Sequence, residues 1–110
     1  MLNEVNLIGR LGAEVELKST TSGKDVANFS IATSKSWTKG GEKQEKTEWH
    51  RIVVWDKQAT NCSKFLSKGS LVHVKGELTT RSWEDSEGNK RYSTEVIAHS
   101  VLFLDKKEAA

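Results

Sequence analysis

Apolar and polar residues alternate through most of the chain, the period of half-buried strands, and Gly marks the interruptions in a sequence that has no Pro. The first alternating run is Asn3 to Leu11, closed by Gly12. A second extended stretch, Glu14 to Ser19, enters the turn Thr20-Thr21-Ser22-Gly23-Lys24, where Gly23 supplies the positive φ of a tight turn. From Val26 to Trp37, Ala27, Phe29, Ile31 and Thr33 fall on one face and Asn28, Ser30 and Ser34 on the other. The polar stretch Thr38 to Lys46 reads as a mobile loop, and a third strand runs from Thr47 to Trp55. At Asp56 the period changes: Ala59, Cys62 and Phe65 or Leu66 recur at helical spacing, with Asp56 as N-cap and Gly69 as stop. One short helix over Asp56 to Leu66 is predicted. Leu71 to Arg81 is extended again, Glu84 to Asn89 is a turn, and Tyr92 to Leu104 is the last strand. At about 3.3 Å per residue the first arm of this hairpin reaches roughly 36 Å, longer than a usual strand, so part of it projects as a finger.

Five strands with a short helix between the third and fourth predict an all-β OB-fold, a partly open Greek-key barrel, with a long projecting β-hairpin. An SH3-like barrel is the nearest rival, and the helix position favours the OB-fold. Residues 1–104 form one domain, and the end, 105–110, is expected to be disordered.

Strand three makes the sharpest demand. Trp49, Arg51, Val53 and Trp55 must share one face, and His50, Ile52 and Val54 the other. Were the Trp face the core, Arg51 would be buried without a partner, at a cost of several kcal/mol. Ile52 and Val54 therefore point inward, which leaves two indoles flanking a guanidinium on an outer surface. Single-stranded nucleic acid suits such a surface, since each base stacked on an aromatic contributes about 1–3 kcal/mol and the Arg can take a phosphate. Arg81 and Trp83 repeat the pairing, and Trp37 closes the second strand. For each Trp taken alone, packing in the core or on a hairpin is the competing reading.

Composition narrows the field. At 110 residues the chain suits one domain, and 17 Lys and Arg against 15 Asp and Glu give a net charge of +2, too small to argue for nucleic acid by itself. The single Cys62 has no thiol partner, which suits a reducing, cytoplasmic compartment. No signal peptide or membrane-spanning run is present in the sequence, so no membrane association is expected. His50, His73, His99 and Cys62 lack the spacing of a zinc site, and Glu84, Asp85 and Glu87 read as a solvated turn. No catalytic motif occurs, and neither metal, cofactor nor enzyme activity is expected.

The strings VNLIGRLG, VANFSIATSKSW, KTEWHRIVVW, FLSKGSLVHVKGEL and TRSWEDSEGNKRYSTEV, in this order, closely resemble the bacterial single-stranded DNA-binding protein family over Asn3 to about Leu104. The resemblance implies an OB-fold, a homotetramer, and single-stranded DNA wrapped over the outer surface during replication, recombination and repair. Carried over by position, it implies base stacking for Trp37, Trp49, Trp55 and Trp83, and phosphate contact for Arg51, Lys57, Lys68 and Arg81. It places His50 near a subunit contact. An open barrel also leaves edge strands to be covered, so the first strand, with Asn3, Val5 and Leu7, is expected at the interface. Trp55 replaces the family's usual Phe, Val15 stands where many relatives have Pro, and the loop after Trp37 is short. Family members continue into a Gly/Pro-rich tail with an acidic tip that recruits other proteins; this sequence stops at Ala110, so recruitment through such a tail is not expected of it. An RNA-binding or primosomal OB-fold module and a purely protein-binding domain are the rivals. A 2′-hydroxyl preference would mark the first and absence of oligonucleotide affinity the second.

Overall fold

The alternating runs become β1 (Val5–Leu11), β2 (Glu16–Ser19), β3 (Asp25–Lys39), β4 (Glu42–Trp55), β5 (Leu71–Glu84) and β6 (Lys90–Phe103), with helix α1 (Asp56–Phe65) between β4 and β5. The structure is a computed structural model and describes residues 1–105. The strands form one sheet in the order β1-β5-β6-β4-β3-β2, closed by a pairing of β1 with β3. Both β1 and β2 lie along β3, through Arg10↔Ala32 and Leu11↔Ile31 and then Glu16↔Asn28 to Ser19↔Asp25. Together they are one strand broken at residues 12–15. Counted this way the barrel has five strands with the helix between the third and fourth, the OB-fold arrangement expected from the sequence.

Alternation fixes the core. Ile31, Ile52, Val54, Val72 and Val74 are fully buried, and Ala27, Phe29, Leu66, Val96 and Ala98 pack with them. Burial of each large aliphatic side chain contributes about 1.5–3 kcal/mol. From α1, Ala59 and Cys62 face this core, which explains their helical spacing. Burial pushes the Cys62 thiol up to about 11, so it packs as a small apolar group.

The stretch Thr38 to Lys46 is not a mobile loop. It is the end of a β3–β4 hairpin whose ladder runs without a break from Val26↔Trp55 to Lys39↔Glu42. Gly40 and Gly41, at φ 59° and 81°, supply the two left-handed residues that a two-residue hairpin turn requires. Two further expectations are corrected at the helix ends. Trp55 occupies the N-cap position, and Asp56, at φ 60°, makes no side-chain cap hydrogen bond. At the other end Leu66 is the C-cap; Gly69 lies beyond it in a turn, where it donates its N–H to the Leu11 carbonyl at 2.8 Å. Asp105, assigned to a disordered end, is held: its Oδ2 accepts the Leu71 N–H at 2.9 Å and its Oδ1 lies 3.6 Å from Arg10. Residues 106–110 lie outside the described residues.

Two long arms leave the barrel. β5 follows β1 only as far as Val5↔Gly76, and β6 touches β4 only at Ile52↔Val96 and Val53↔Ile97, so beyond these points the β5–β6 hairpin pairs with itself. The radius of gyration, 16.3 Å, exceeds the roughly 13 Å of a compact chain of this length, as the arms require. At the finger's tip Asp85 organises the turn, accepting the N–H groups of Glu87 and Asn89 at 3.0 and 2.9 Å and Arg91 Nε at 2.9 Å. Those hydrogen bonds, the Asn89 N–H first, hold its carboxyl below its ordinary value.

Candidate nucleic-acid interface

Along the outer face of β4, Trp49 lies opposite Ala32, Arg51 opposite Ser30 and Trp55 opposite Val26. Small neighbours on β3 leave the indoles uncovered: Trp49 is 61% and Trp55 41% exposed, while Ile52 and Val54 on the other face are fully buried. The assignment of the two faces is thus as the unpartnered Arg51 demanded. Val53 departs from it. Although on the Trp face, it is buried, because β3 flanks it at Asn28 and β6 at Ile97, where the barrel closes.

Trp49 does not hang free. Its six-membered ring lies across Gly12, at the break between β1 and β2, so closely that a Cβ there would sit 2.6 Å from Cη2. Gly12 donates its N–H to the Ser30 carbonyl at 3.1 Å, which fixes this backbone against β3. The strand break therefore serves as a shelf for the indole, and only Gly fits under it.

Beside this face runs an open groove of about 350 Å³, lined by β2, β3 and β4 on one side and the base of the finger on the other. Lys18, Arg51 and Arg81 supply cations to it, and Glu14, Glu16 and Glu95 carboxylates. Glu95 is the one charged residue buried among the described residues, and its Oε1 meets Arg81 Nε at 3.2 Å. The Arg81 guanidinium also lies over the Trp83 ring, 5.4 Å from its centre. Arg81, expected to contact phosphate, thus also meets a carboxylate within the chain. Lys18 and Glu95 were missed in the sequence because their place in the groove depends on barrel closure; their outward parity was the only local signal.

The remaining residues divide by location. Trp83, 45% exposed, shares the outward face of β5 with Arg81. Trp37, 42% exposed, has the parity of Phe29 and Ile31, so alternation sets it on the opposite face of the β3–β4 hairpin from Trp49 and Trp55, with Lys35 Nζ 5.9 Å from its ring. Lys57 is exposed in the first turn of α1. Lys68 is exposed in the turn after it, where its N–H is donated to Glu14 at 3.2 Å. The structure does not gather all eight expected residues on one face.

The expected subunit-contact residues are largely engaged within the chain. Asn3 extends the β1–β5 ladder with its side chain, donating from Nδ2 to the Leu78 carbonyl and accepting the Leu78 N–H, both at 2.9 Å. Val5 and Leu7 pack against the core rather than facing outward; β1 presents Asn6 and Ile8 on its exposed side. His50 is half-buried, with Nε2 2.7 Å from Thr33 Oγ1.

Among the described residues no three His, Cys, Asp or Glu side chains are grouped to hold a metal ion, and no helix is long and apolar enough to cross a membrane. What the site offers chemically is stacking surface beside a groove of mixed charge.

A family model for the single-strand binding protein family matches residues 2–104. A protein of Chlorobaculum tepidum named single-stranded DNA-binding protein 1 is 46% identical over 110 residues, which is 98% of this chain and 68% of that protein. One of the same name from Xylella fastidiosa is 43% identical over 109 residues, 97% of this chain and 80% of that protein. Among solved structures, a Plasmodium falciparum SSB in complex with ssDNA superposes with a TM-score of 0.87 at 39% identity, covering 96% of this chain and 97% of that one. Motif order, barrel and comparisons agree, and the chain belongs to the single-strand binding protein family.

Proposed function

We propose that this chain binds and protects single-stranded DNA with little regard to sequence, as an accessory to replication, recombination and repair and without catalysing a reaction. The observation that carries the reading is the outer face of β4, where Trp49 and Trp55 flank Arg51 in solvent over a buried Ile52 and Val54. Exposed indoles stack on unpaired bases whatever their identity, and a guanidinium between them meets the backbone. Trp83 and Trp37 extend the stacking surface along the two arms. Arg51, Lys57 and Lys68 contact phosphates, with Arg81 shared between phosphate and Glu95. The names of the relatives and the DNA in the Plasmodium falciparum complex support this ligand.

The proposal includes self-association into a homotetramer. Among the described residues β1 pairs with β3 only at Arg10 and Leu11, which leaves the edge of Val5 to Ile8 open on that side, and Ile8 and Leu102 expose apolar surface nearby. Pairing with a second copy covers such an edge. Light scattering at micromolar concentration checks this, and a 12.3 kDa particle defeats it.

Titration with oligo(dT) while following Trp emission tests the ligand. Strong quenching with single strands and weaker binding to duplex is the expected result. Absence of quenching, or a preference for duplex, overturns the reading, since paired bases cannot offer their faces to the indoles.

A further inference from the structure

We infer that Tyr92, together with Lys90, forms an additional stacking site for single-stranded DNA on the side of the finger opposite Arg81 and Trp83. This rests on the reading that the chain binds single strands. Among the described residues three cations lie over aromatic rings: Lys35 Nζ 5.9 Å from Trp37, Arg81 Cζ 5.4 Å from Trp83, and Lys90 Nζ 5.7 Å from Tyr92. In each, the cation precedes the ring by two residues on one strand, so both project from the same face. Both rings of the first two pairs, and Arg81, are already assigned to DNA. The third repeats the same unit with no assigned role.

The surroundings of Tyr92 fit a nucleotide. At 64% exposed it is more open than any of the four Trp residues. Ser82 is its cross-strand partner, and the next rung on that face is Thr80 with Thr94, whose hydroxyls lie 3.3 Å apart, so short side chains leave the ring clear. On the other face Arg91 is tied to Asp85 at 2.9 Å, whereas Lys90 keeps its ammonium at the Tyr92 ring. A base on the phenol ring gains stacking, and Lys90 adds a cation for the neighbouring phosphate. The register places Tyr92 opposite Ser82 and Trp83 opposite Arg91, adjacent rungs that alternation sends to opposite faces. A strand crossing the finger can therefore stack on Trp83 on one side and on Tyr92 on the other.

Oligonucleotide length separates this site from the groove. Anisotropy with labelled oligo(dT) of about 8 nucleotides, within the range of one OB-fold's site, is compared with an oligo(dT) several times longer. Tyr92→Ala is expected to weaken the long strand about tenfold and leave the short one unchanged, and Tyr92→Phe, which keeps the ring, to bind as wild type. Lys90→Ala is expected to lower the log–log salt slope for the long strand by about 0.7. Equal binding of the long strand by wild type and Tyr92→Ala overturns the inference, as does a Tyr92→Phe variant as weak as Tyr92→Ala. Failure of the wild-type chain to bind either oligonucleotide overturns both this inference and the function it rests on, so the two failures are told apart.

Discussion

Gly12→Ala separates the aim of Trp49 from its presence. The φ of Gly12 is not in the left-handed region, so Ala meets no backbone penalty there and reduces the freedom of the unfolded chain, a gain of about 0.4–1 kcal/mol. Its methyl, however, would sit 2.6 Å from the indole Cη2, and the ring must swing off its shelf. Trp49 is 61% exposed, so it keeps about two-fifths of its surface in contact. Taking about 150–250 Å² for a fully buried aromatic at about 25 cal/mol per Å², that contact is worth about 1.5–2.5 kcal/mol. The net change in folding stability therefore stays within about 2 kcal/mol. Affinity responds differently, because a displaced ring forfeits up to one base stack, about 1–3 kcal/mol or roughly 5- to 150-fold in Kd. Anisotropy of a labelled oligo(dT), run on wild type, Gly12→Ala, Trp49→Ala and the double variant, closes a cycle that reads the coupling. The expected result is that Gly12→Ala weakens binding in the wild-type background and does nothing once Trp49 is gone. An equal loss in both backgrounds, or no loss in either, refutes the shelf.

Four other outcomes follow from the geometry. Ile52→Ala, at a fully buried position, is expected to cost about 2–5 kcal/mol in chemical denaturation, whereas Trp55→Ala should act mainly on DNA affinity. Glu95→Gln releases Arg81 and removes a negative charge from the groove, so the salt dependence of binding should steepen by about 0.7 log–log unit if Arg81 then meets a phosphate. Cys62, buried and raised to about 11, should resist alkylation at pH 8 in the native protein and react readily once denaturant unfolds it. Asp85 has a folded pKa below its ordinary 3.8, so its contribution to the finger's turn is complete above that value and fades as pH falls through the depressed one; amide exchange of Gly88 and Asn89, followed downward from pH 5, reads that loosening against the intrinsic exchange rate.

The barrel and the inner face of β4 were legible because burial of Arg51 between two indoles would have left a charge unpartnered, which excludes the alternative from sequence alone. Val53 was not, since its burial comes from β6 approaching at the seam and alternation knows nothing of neighbouring strands. The outer half of the β3–β4 hairpin was missed for a related reason. Both faces of a projecting arm meet water, so rungs such as Lys35↔Lys46 and Ser36↔Glu45 carry no apolar alternation, and only Gly40-Gly41 signalled the turn. The mixed charge of the groove was equally invisible, for Lys18 and Glu95 meet there only once β2 and the finger are folded onto β4.

The barrel's closure has a kinetic consequence. Its two hairpins are local in sequence and carry long ladders, whereas closure depends on two rungs between β1 and β3 and two between β4 and β6. Hairpins of this kind form in about 1–10 μs, while joining distant segments must first overcome loop-closure entropy. The hairpins thus zip early, and the β4–β6 seam is made at the folding barrier or after it. Once folded, the same order runs in reverse. Short seams are the first hydrogen bonds to part in sub-global opening, so protection against exchange should be lower for the amides bridging β4 and β6 than for those in the middle of β3 and β4.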